Sequence, residues 1–243
     1  MTLQGKTAIV TGGGTGIGLG IAEALADEGC RVAITGRREE PLRAAVAARE
    51  TELALLYHTV DVADREDVGH LFEWAADELG TIDILVHSAG TNIKTRSMAD
   101  MRPEQWDEVL AINTTGVYNC VYAVLPQMRE RGDGLIIIIN SIAGLRANPL
   151  GGVAYNASKF AATALGTAVG NEEGGAGIRV TSVHPGEVDT PLLDKRPVLV
   201  SDEHRATMLQ PEDLGALAVM LAGLPPRAHI PEVIIKPTSH GYV

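Results

Sequence analysis

Apolar residues follow two alternating patterns along the chain. Short runs rich in β-branched residues recur at Lys6–Thr11, Arg31–Thr35, Leu53–Thr59, Ile82–His87, Leu135–Asn140, Arg179–His184 and Glu232–Ile235. Several lack polar alternation, as strands covered on both faces do. Between them, apolar residues at helical spacing span Gly18–Glu28, Glu39–Glu50, Arg65–Leu79, Pro103–Arg131, Val153–Glu173 and Pro211–Leu221. Pro103 and Pro211 suit a first helical turn, each followed by an acid at the electropositive helix end. Gly29, Gly80 and Gly132 suit the stop position after a helix. This β-α-β-α order predicts an α/β fold. The expected form is a single-domain, Rossmann-type, doubly wound parallel sheet of about seven strands with helices on both faces. No repeat, low-complexity tract or linker divides residues 1–243. The segment 191–210 mixes Pro, charge and short apolar pairs, and fits either a mobile lid over a site or an irregular surface loop.

Composition narrows the possible functions. The chain has 243 residues, 45% of them hydrophobic and 21% charged, which is ordinary for a soluble globular protein. With 20 Lys and Arg against 31 Asp and Glu, the formal net charge is −11. That balance disfavours nucleic acid and anionic membrane surfaces as partners. The most apolar run, LIIIIN, is too short to cross a bilayer, and MTLQGKTAIVTGGG has no leader pattern. The expectation is a cytoplasmic protein. Cys30 and Cys120 make neither a disulfide framework nor a metal spacing. The seven histidines show no H-E-x-x-H, so no metal is expected. No Ser lies in G-x-S-x-G, and no carboxylate pair suits glycosidase chemistry.

Three stretches carry candidate chemistry. TGGGTGIG at Thr11–Gly18 follows the first predicted strand and opens the first helix. There a parallel α/β fold binds phosphate, because glycines admit close backbone approach and the helix N-terminus offers free N–H groups. The candidate binding residues are Gly12, Gly14, Thr15, Gly16, Ile17 and Gly18. The spacing from Gly12 is G-x-x-x-G-x-G, and no Lys follows Gly18, which excludes a Walker loop. The second strand ends TGRREE. Gly36 stands where NAD-preferring folds place an acid, and Arg37 and Arg38 follow, two guanidinium groups suited to a 2′-phosphate. The alternative is a solvated helix start neutralised by Glu39 and Glu40. NADP(H) is the preferred cofactor, with NAD(H) possible. YNASK puts Tyr155 and Lys159 on one helix face. An ammonium beside a phenol makes a proton donor and acceptor working near neutral pH. On these two residues alone, an accidental surface pair is the better reading.

With these residues in hand, the sequence resembles the short-chain dehydrogenase/reductase family from Lys6 to about Thr190. TGGGTGIG is similar to its cofactor turn, and Asp61-Val62 to its adenine-contacting pair. HSAG at His87–Gly90 resembles its Asn-Asn-Ala-Gly and supplies Ser88, Ala89 and Gly90. Asn113 falls where the family has a structural and catalytic Asn. NSIAG carries the family Ser at Ser141, and YNASK supplies Tyr155 and Lys159. HPGEVDT resembles its nicotinamide-side segment, with Pro185, Gly186, Val188 and Thr190.

The resemblance implies hydride exchange between NAD(P)(H) and a small-molecule carbonyl or secondary alcohol. Tyr155 would be the general acid or base, Ser141 would donate to the substrate oxygen, and Asn113 would hold a water joining Lys159 to solvent. Lowering a phenol by roughly three units takes about 4 kcal/mol. A unit charge about 4 Å away supplies a term of that size at an effective dielectric of about 20, so Lys159 is expected to lower Tyr155. The resemblance also implies a homodimer or homotetramer built on helices Pro103–Arg131 and Val153–Glu173. A non-catalytic nucleotide-binding regulator is the alternative of a different class.

The chain departs from the family pattern at two places. His87 and Ser88 replace both asparagines, leaving the bracing of the sheet open, with His87 read as a buried strand residue. The C-terminus reads HIPEVIIKPTSHGYV in place of an Asp-Gly-Gly ending, leaving the subunit arrangement and substrate wall open. Candidate walls are Thr91–Met98, Leu145–Val153 and 191–210. Arg146 is read as a surface charge, and Lys94 and Arg96 stay open between surface and site.

Overall fold

The strands are β1 (Thr7–Thr11), β2 (Arg31–Gly36), β3 (Leu56–Thr59), β4 (Ile84–His87), β5 (Gly134–Ile139), β6 (Ile178–Pro185) and β7 (Glu232–Ile235). They form one parallel sheet in the order β3-β2-β1-β4-β5-β6-β7. The computed structural model describes residues 3–49 and 55–241. Leu53 and Ala54 of the expected third strand, and Glu50 of the expected second helix, lie outside the described residues. The helices are α1 (Gly16–Asp27), α2 (Glu39–Ala47), α3 (Arg65–Leu79), α4 (Pro103–Leu110), α5 (Gly116–Arg131), α6 (Val153–Glu173), α7 (Asp202–Arg205) and α8 (Pro211–Ala222).

The two-sided hydrophobicity of the strands has a direct cause. Ala8, Val10, Val32, Ile34, Ile84, Val86, Leu135 and Ile137 pack into a core shared with α1, α2 and α8. Their neighbours Ile9, Ala33, Leu85, Ile136 and Ile138 pack into a second core, shared with α3, α5 and Ala162 of α6. Successive strand side chains point to opposite faces, so a strand between two helical layers needs apolar residues at every position. Cys30 belongs to the first core and Cys120 to the second, so the sheet lies between them and both remain free thiols.

β4 begins at Ile84, later than expected, and Asp83 just before it is tied to the start of β1 by backbone and side chain alike, its N–H donating to the Thr7 carbonyl at 3.1 Å. Its Oδ2 accepts from Thr7 N at 3.0 Å, and its Oδ1 lies 3.1 Å from Lys6 Nζ. The expected helix Pro103–Arg131 is continuous but widens into a π-helical turn at Ala111–Thr115. By length and composition it would suffice to cross a membrane, yet Val117, Cys120, Val121, Val124 and Met128 pack into the second core. It ends at Gly132, whose φ of 67° is left-handed, as a glycine stop allows.

The chain begins mid-sheet, runs outward to β3, and crosses back to β4. The carboxyl ends of β1 and β4 therefore diverge into a crevice, the place where open α/β sheets bind ligands. α1, which leads out of that crevice, is seated by α8. A Cβ on Gly20 would stand 2.7 Å from the Pro211 carbonyl carbon, and one on Gly215 would stand 2.7 Å from the Gly20 oxygen. Neither glycine has room for a side chain at this crossing. Gly215→Val is expected to destabilise the protein by about 1–3 kcal/mol, the usual cost of overpacking. The thermal midpoint should fall by roughly 2–4 °C for each kcal/mol; an unchanged midpoint would contradict the close approach.

Candidate active site

β1 delivers the chain into the glycine turn, and packing fixes the shape of that turn. Gly12 has a φ of +66°, and a Cβ on it would stand 2.9 Å from Ala89 Cα and N. The Thr11 hydroxyl accepts from Ser88 N at 3.2 Å and from Ala89 N at 3.1 Å, and lies 3.3 Å from His87 Nδ1. The end of β1 and the segment after β4 are thus held together. Thr15 precedes α1 in an extended conformation without capping it by its side chain. The first amides of α1 are left without a side-chain partner at the edge of a cleft of about 850 Å³. Thr190 closes the turn from above, with its Cβ 3.2 Å from where a Gly16 Cβ would stand.

The far end of the cleft lies at β2. Gly36, Arg37 and Arg38 line it, and both arginines are exposed. Among the described residues neither pairs with Glu39 or Glu40; the Glu39 carboxylate instead accepts from the Tyr57 hydroxyl at 3.2 Å. Asp61 and Val62 form the adjoining wall. Asp61 Oδ1 accepts from Ala63 N at 3.0 Å, and Val62 fills the space that a Gly116 side chain would take.

At the near end the cleft meets a smaller pocket of about 160 Å³, and Tyr155 lines both. Ser141 caps the turn Ile142–Gly144 by accepting from Ala143 N at 3.1 Å, while its carbonyl lies 3.0 Å from His184 Nδ1. Ser141 and Tyr155 line the smaller pocket together, near enough for the Ser141 hydroxyl to favour the Tyr155 anion. Pro185, Gly186 and Val188 line the smaller pocket; Ser88, Ala89, Gly90 and Lys159 line the larger. Lys159 is buried, its Nζ donates to the Ile139 carbonyl at 3.1 Å, and it stands 5.7 Å from the Tyr155 ring centroid.

The electrostatics differ from expectation at one point. Burial pushes Tyr155 above the ordinary phenol range, and the opposing influences are the Ser141 hydrogen bond and the Arg96 charge, not Lys159. Burial also brings Lys159 down to about 8. The expected lowering of the phenol by the ammonium is not found; both groups lie in the same water-poor junction, where desolvation penalises each charged form. His87 is buried, and burial, then the Lys159 charge, brings it down to about 3. It is a neutral strand residue braced by Thr11.

Asn113 lines neither pocket. Its Oδ1 accepts from Thr91 N at 2.8 Å, and its Nδ2 donates to the Thr91 carbonyl at 2.9 Å and to Ser158 Oγ at 3.0 Å. It lies one layer behind Gly90, in the π-helical turn, and ties the segment after β4 to α6. Several residues of the site carry no local sequence signal. Arg96 Nε donates to the Ile93 carbonyl at 2.9 Å, Nη1 to Leu150 and Nη2 to Lys195 at 3.1 Å, clamping three segments beside the smaller pocket. Asn140 lines both pockets and donates to the Lys159 carbonyl at 3.1 Å and to Thr163 Oγ1 at 2.7 Å. Arg146 is an exposed surface charge and Lys94 is exposed as well. The segment 191–210 holds two short helical pieces, Pro191–Lys195 and α7, joined by irregular chain, and it is tied to the site. Lys195 Nζ donates to Thr91 Oγ1 at 2.6 Å, and Arg205 pairs with Asp189 at 2.6 Å.

Comparison with known proteins places this geometry. A profile for short chain dehydrogenases matches residues 6–198. An uncharacterized oxidoreductase of Staphylococcus saprophyticus is 36% identical over 238 residues, covering 97% of this chain and 98% of the relative. An alcohol dehydrogenase from the archaeon Thermococcus sibiricus, solved with 5-hydroxy-NADP, superposes with a TM-score of 0.87 at 26% identity, covering 98% and 99% of the two chains. A 3-ketoacyl-(acyl-carrier-protein) reductase from Brucella melitensis, solved with NADH, gives a TM-score of 0.86 at 26% identity over 98% and 99%.

The His87 environment yields a pH dependence. The folded state holds the ring neutral down to about pH 3, whereas an unfolded histidine takes up a proton below about 6.5. The stability held at neutral pH is therefore lost as pH falls from about 6.5 toward 3. Against His87→Asn, which cannot titrate, wild-type unfolding free energy should drop by about 2 kcal/mol more between pH 7 and 5. Parallel urea-denaturation profiles for the two proteins would rule this out.

Proposed function

The chain belongs to the short-chain dehydrogenase family and is an NAD(P)-dependent oxidoreductase; on that premise we propose that it reduces a small carbonyl compound to the secondary alcohol with NADPH. The observation carrying this reading is the meeting of the Tyr155 and Ser141 hydroxyls where the large cleft opens into the small pocket.

The residues fit a dinucleotide. The uncapped first turn of α1 offers N–H groups to a pyrophosphate, and any side chain at Gly12 would fill that approach. Arg37 and Arg38, exposed and unpaired with the acids beside them, would hold a 2′-phosphate, and Asp61 and Val62 would border the adenine. A bound nicotinamide supplies the hydride to the carbonyl carbon.

The protein's own part is the proton. Tyr155, raised by burial, keeps its proton at neutral pH and suits the general acid that protonates the carbonyl oxygen as the C–O bond becomes an alcohol. Ser141 donates a hydrogen bond to the same oxygen. Arg96 stabilises the tyrosinate left behind, and Lys159 offers a second cation facing the cleft at the Gly90 wall. Asn113 acts by position, holding Thr91 against α6. The walls of the small pocket belong to Asn92, Leu150, Leu192 and Arg196, and they would set the substrate. The segment 191–210 serves as the lid of this arrangement. The same reading takes the protein as cytoplasmic and self-associating through α5 and α6, where Tyr118, Tyr122 and Phe160 stand exposed.

Tyr155→Phe should lower turnover about 10²- to 10⁴-fold while NADPH binding, followed by nucleotide fluorescence, is retained. Turnover within a few-fold of wild type would remove Tyr155 as the acid. Arg37→Asp should move the ratio of kcat/KM with NADPH to that with NADH toward NADH; an unmoved ratio would leave the 2′-phosphate assignment without support.

A further inference from the structure

The segment after β7 and the short helix α7 meet at Glu187, on the rim of the small pocket. Glu187 Oε2 lies 2.8 Å from His204 Nε2 and 3.3 Å from His240 Nε2, and the three ligand-type atoms are all within 4.8 Å of one another. The other carboxylate oxygen is held by Arg196 Nη2 at 2.5 Å, which leaves Oε2 facing the two imidazoles. Each histidine is delivered by its own local structure. His204 N donates to Ser201 Oγ at 3.3 Å at the start of α7. His240 closes a turn in which its N–H donates to the Pro237 carbonyl at 3.1 Å and its carbonyl accepts from Lys236 Nζ at 2.7 Å.

Two imidazole nitrogens and one carboxylate oxygen are a ligand set for a borderline divalent ion, with the fourth tetrahedral position left to water. Calcium and magnesium want oxygen donors and do not match it. Zinc with ligands at about 2.0–2.2 Å sets adjacent ligand atoms about 3.3–3.5 Å apart; the Glu187–His240 contact has that spacing, and the Glu187–His204 contact at 2.8 Å would open slightly. The two rings are 43% and 29% exposed, so packing leaves them free to adjust by small rotations.

We propose that Glu187, His204 and His240 form a binding site for zinc or a similar divalent transition ion. The ion would fasten α7 and the C-terminal segment to the rim of the small pocket, adding a side-chain link to the backbone pairing of Val188 with Leu209 and of β6 with β7. The site stands apart from the proton-transfer groups and does not rest on the redox reading.

The test uses full-length protein stripped with a chelator and dialysed. Titration with zinc chloride in a calorimeter should give one equivalent, and a cobalt(II) titration should give visible d–d bands, which require inner-sphere ligation. His204→Ala and His240→Ala should each weaken zinc binding roughly tenfold or more, and the double variant should lose the cobalt bands. His70→Ala, an exposed histidine on α3, should change neither. His204→Gln and His240→Gln, which keep a polar side chain, should repeat the loss. Absence of zinc binding to wild type, or binding and cobalt spectra unchanged in the double variant, would overturn the site.

Discussion

The contact between Gly12 and the end of β4 governs the rest of the site. A turn with no side chain lies against the Ala89 backbone, and the Thr11 hydroxyl accepts the two amides that follow His87. From there a continuous set of bonds leads outward. The segment after β4 reaches Thr91, the Asn113 amide grips both polar groups of that residue, and the same amide bonds Ser158 on α6. Tyr155 and Lys159 lie within a turn of Ser158, so their placement over the crevice is inherited from a glycine more than 140 positions earlier in the chain. The α1–α8 crossing, where Gly20 and Gly215 leave no room for a side chain of their own, holds the other side of the turn.

Burial sets the charges of the junction more than pairing does. Lys159 is lowered, His87 is kept neutral and Tyr155 is kept protonated, each by desolvation. At the small pocket the Arg96 guanidinium is steadied by three carbonyls and lies near enough to Tyr155 to favour its anion. A buried phenol that is costly to ionise, set beside a cation that lowers that cost, is an arrangement for giving up a proton during reaction rather than at rest.

Those features of the fold that arise from local pattern were legible in the sequence. Runs such as LIIIIN signalled strands covered on two faces, and TGGGTGIG, TGRREE and YNASK marked crevice residues because turn chemistry and helical spacing act within a few residues. Features requiring distant partners were not legible. Arg96 is defined by carbonyls at 93, 150 and 195, and nothing near it in sequence foretells them. Asn113 reads as a site residue, yet its amide is taken up by Thr91 and Ser158. The sign of the Tyr155 shift depends on how much water the folded walls exclude, which spacing does not encode. Glu187, His204 and His240 escape a motif search because the topology, not a helix, brings them together.

Residues Thr190 and Leu192 border the large cleft and the small pocket alike, and Lys195 and Arg196 extend the same stretch over both. A displacement of that stretch would therefore change the walls of the nucleotide end and the substrate end together.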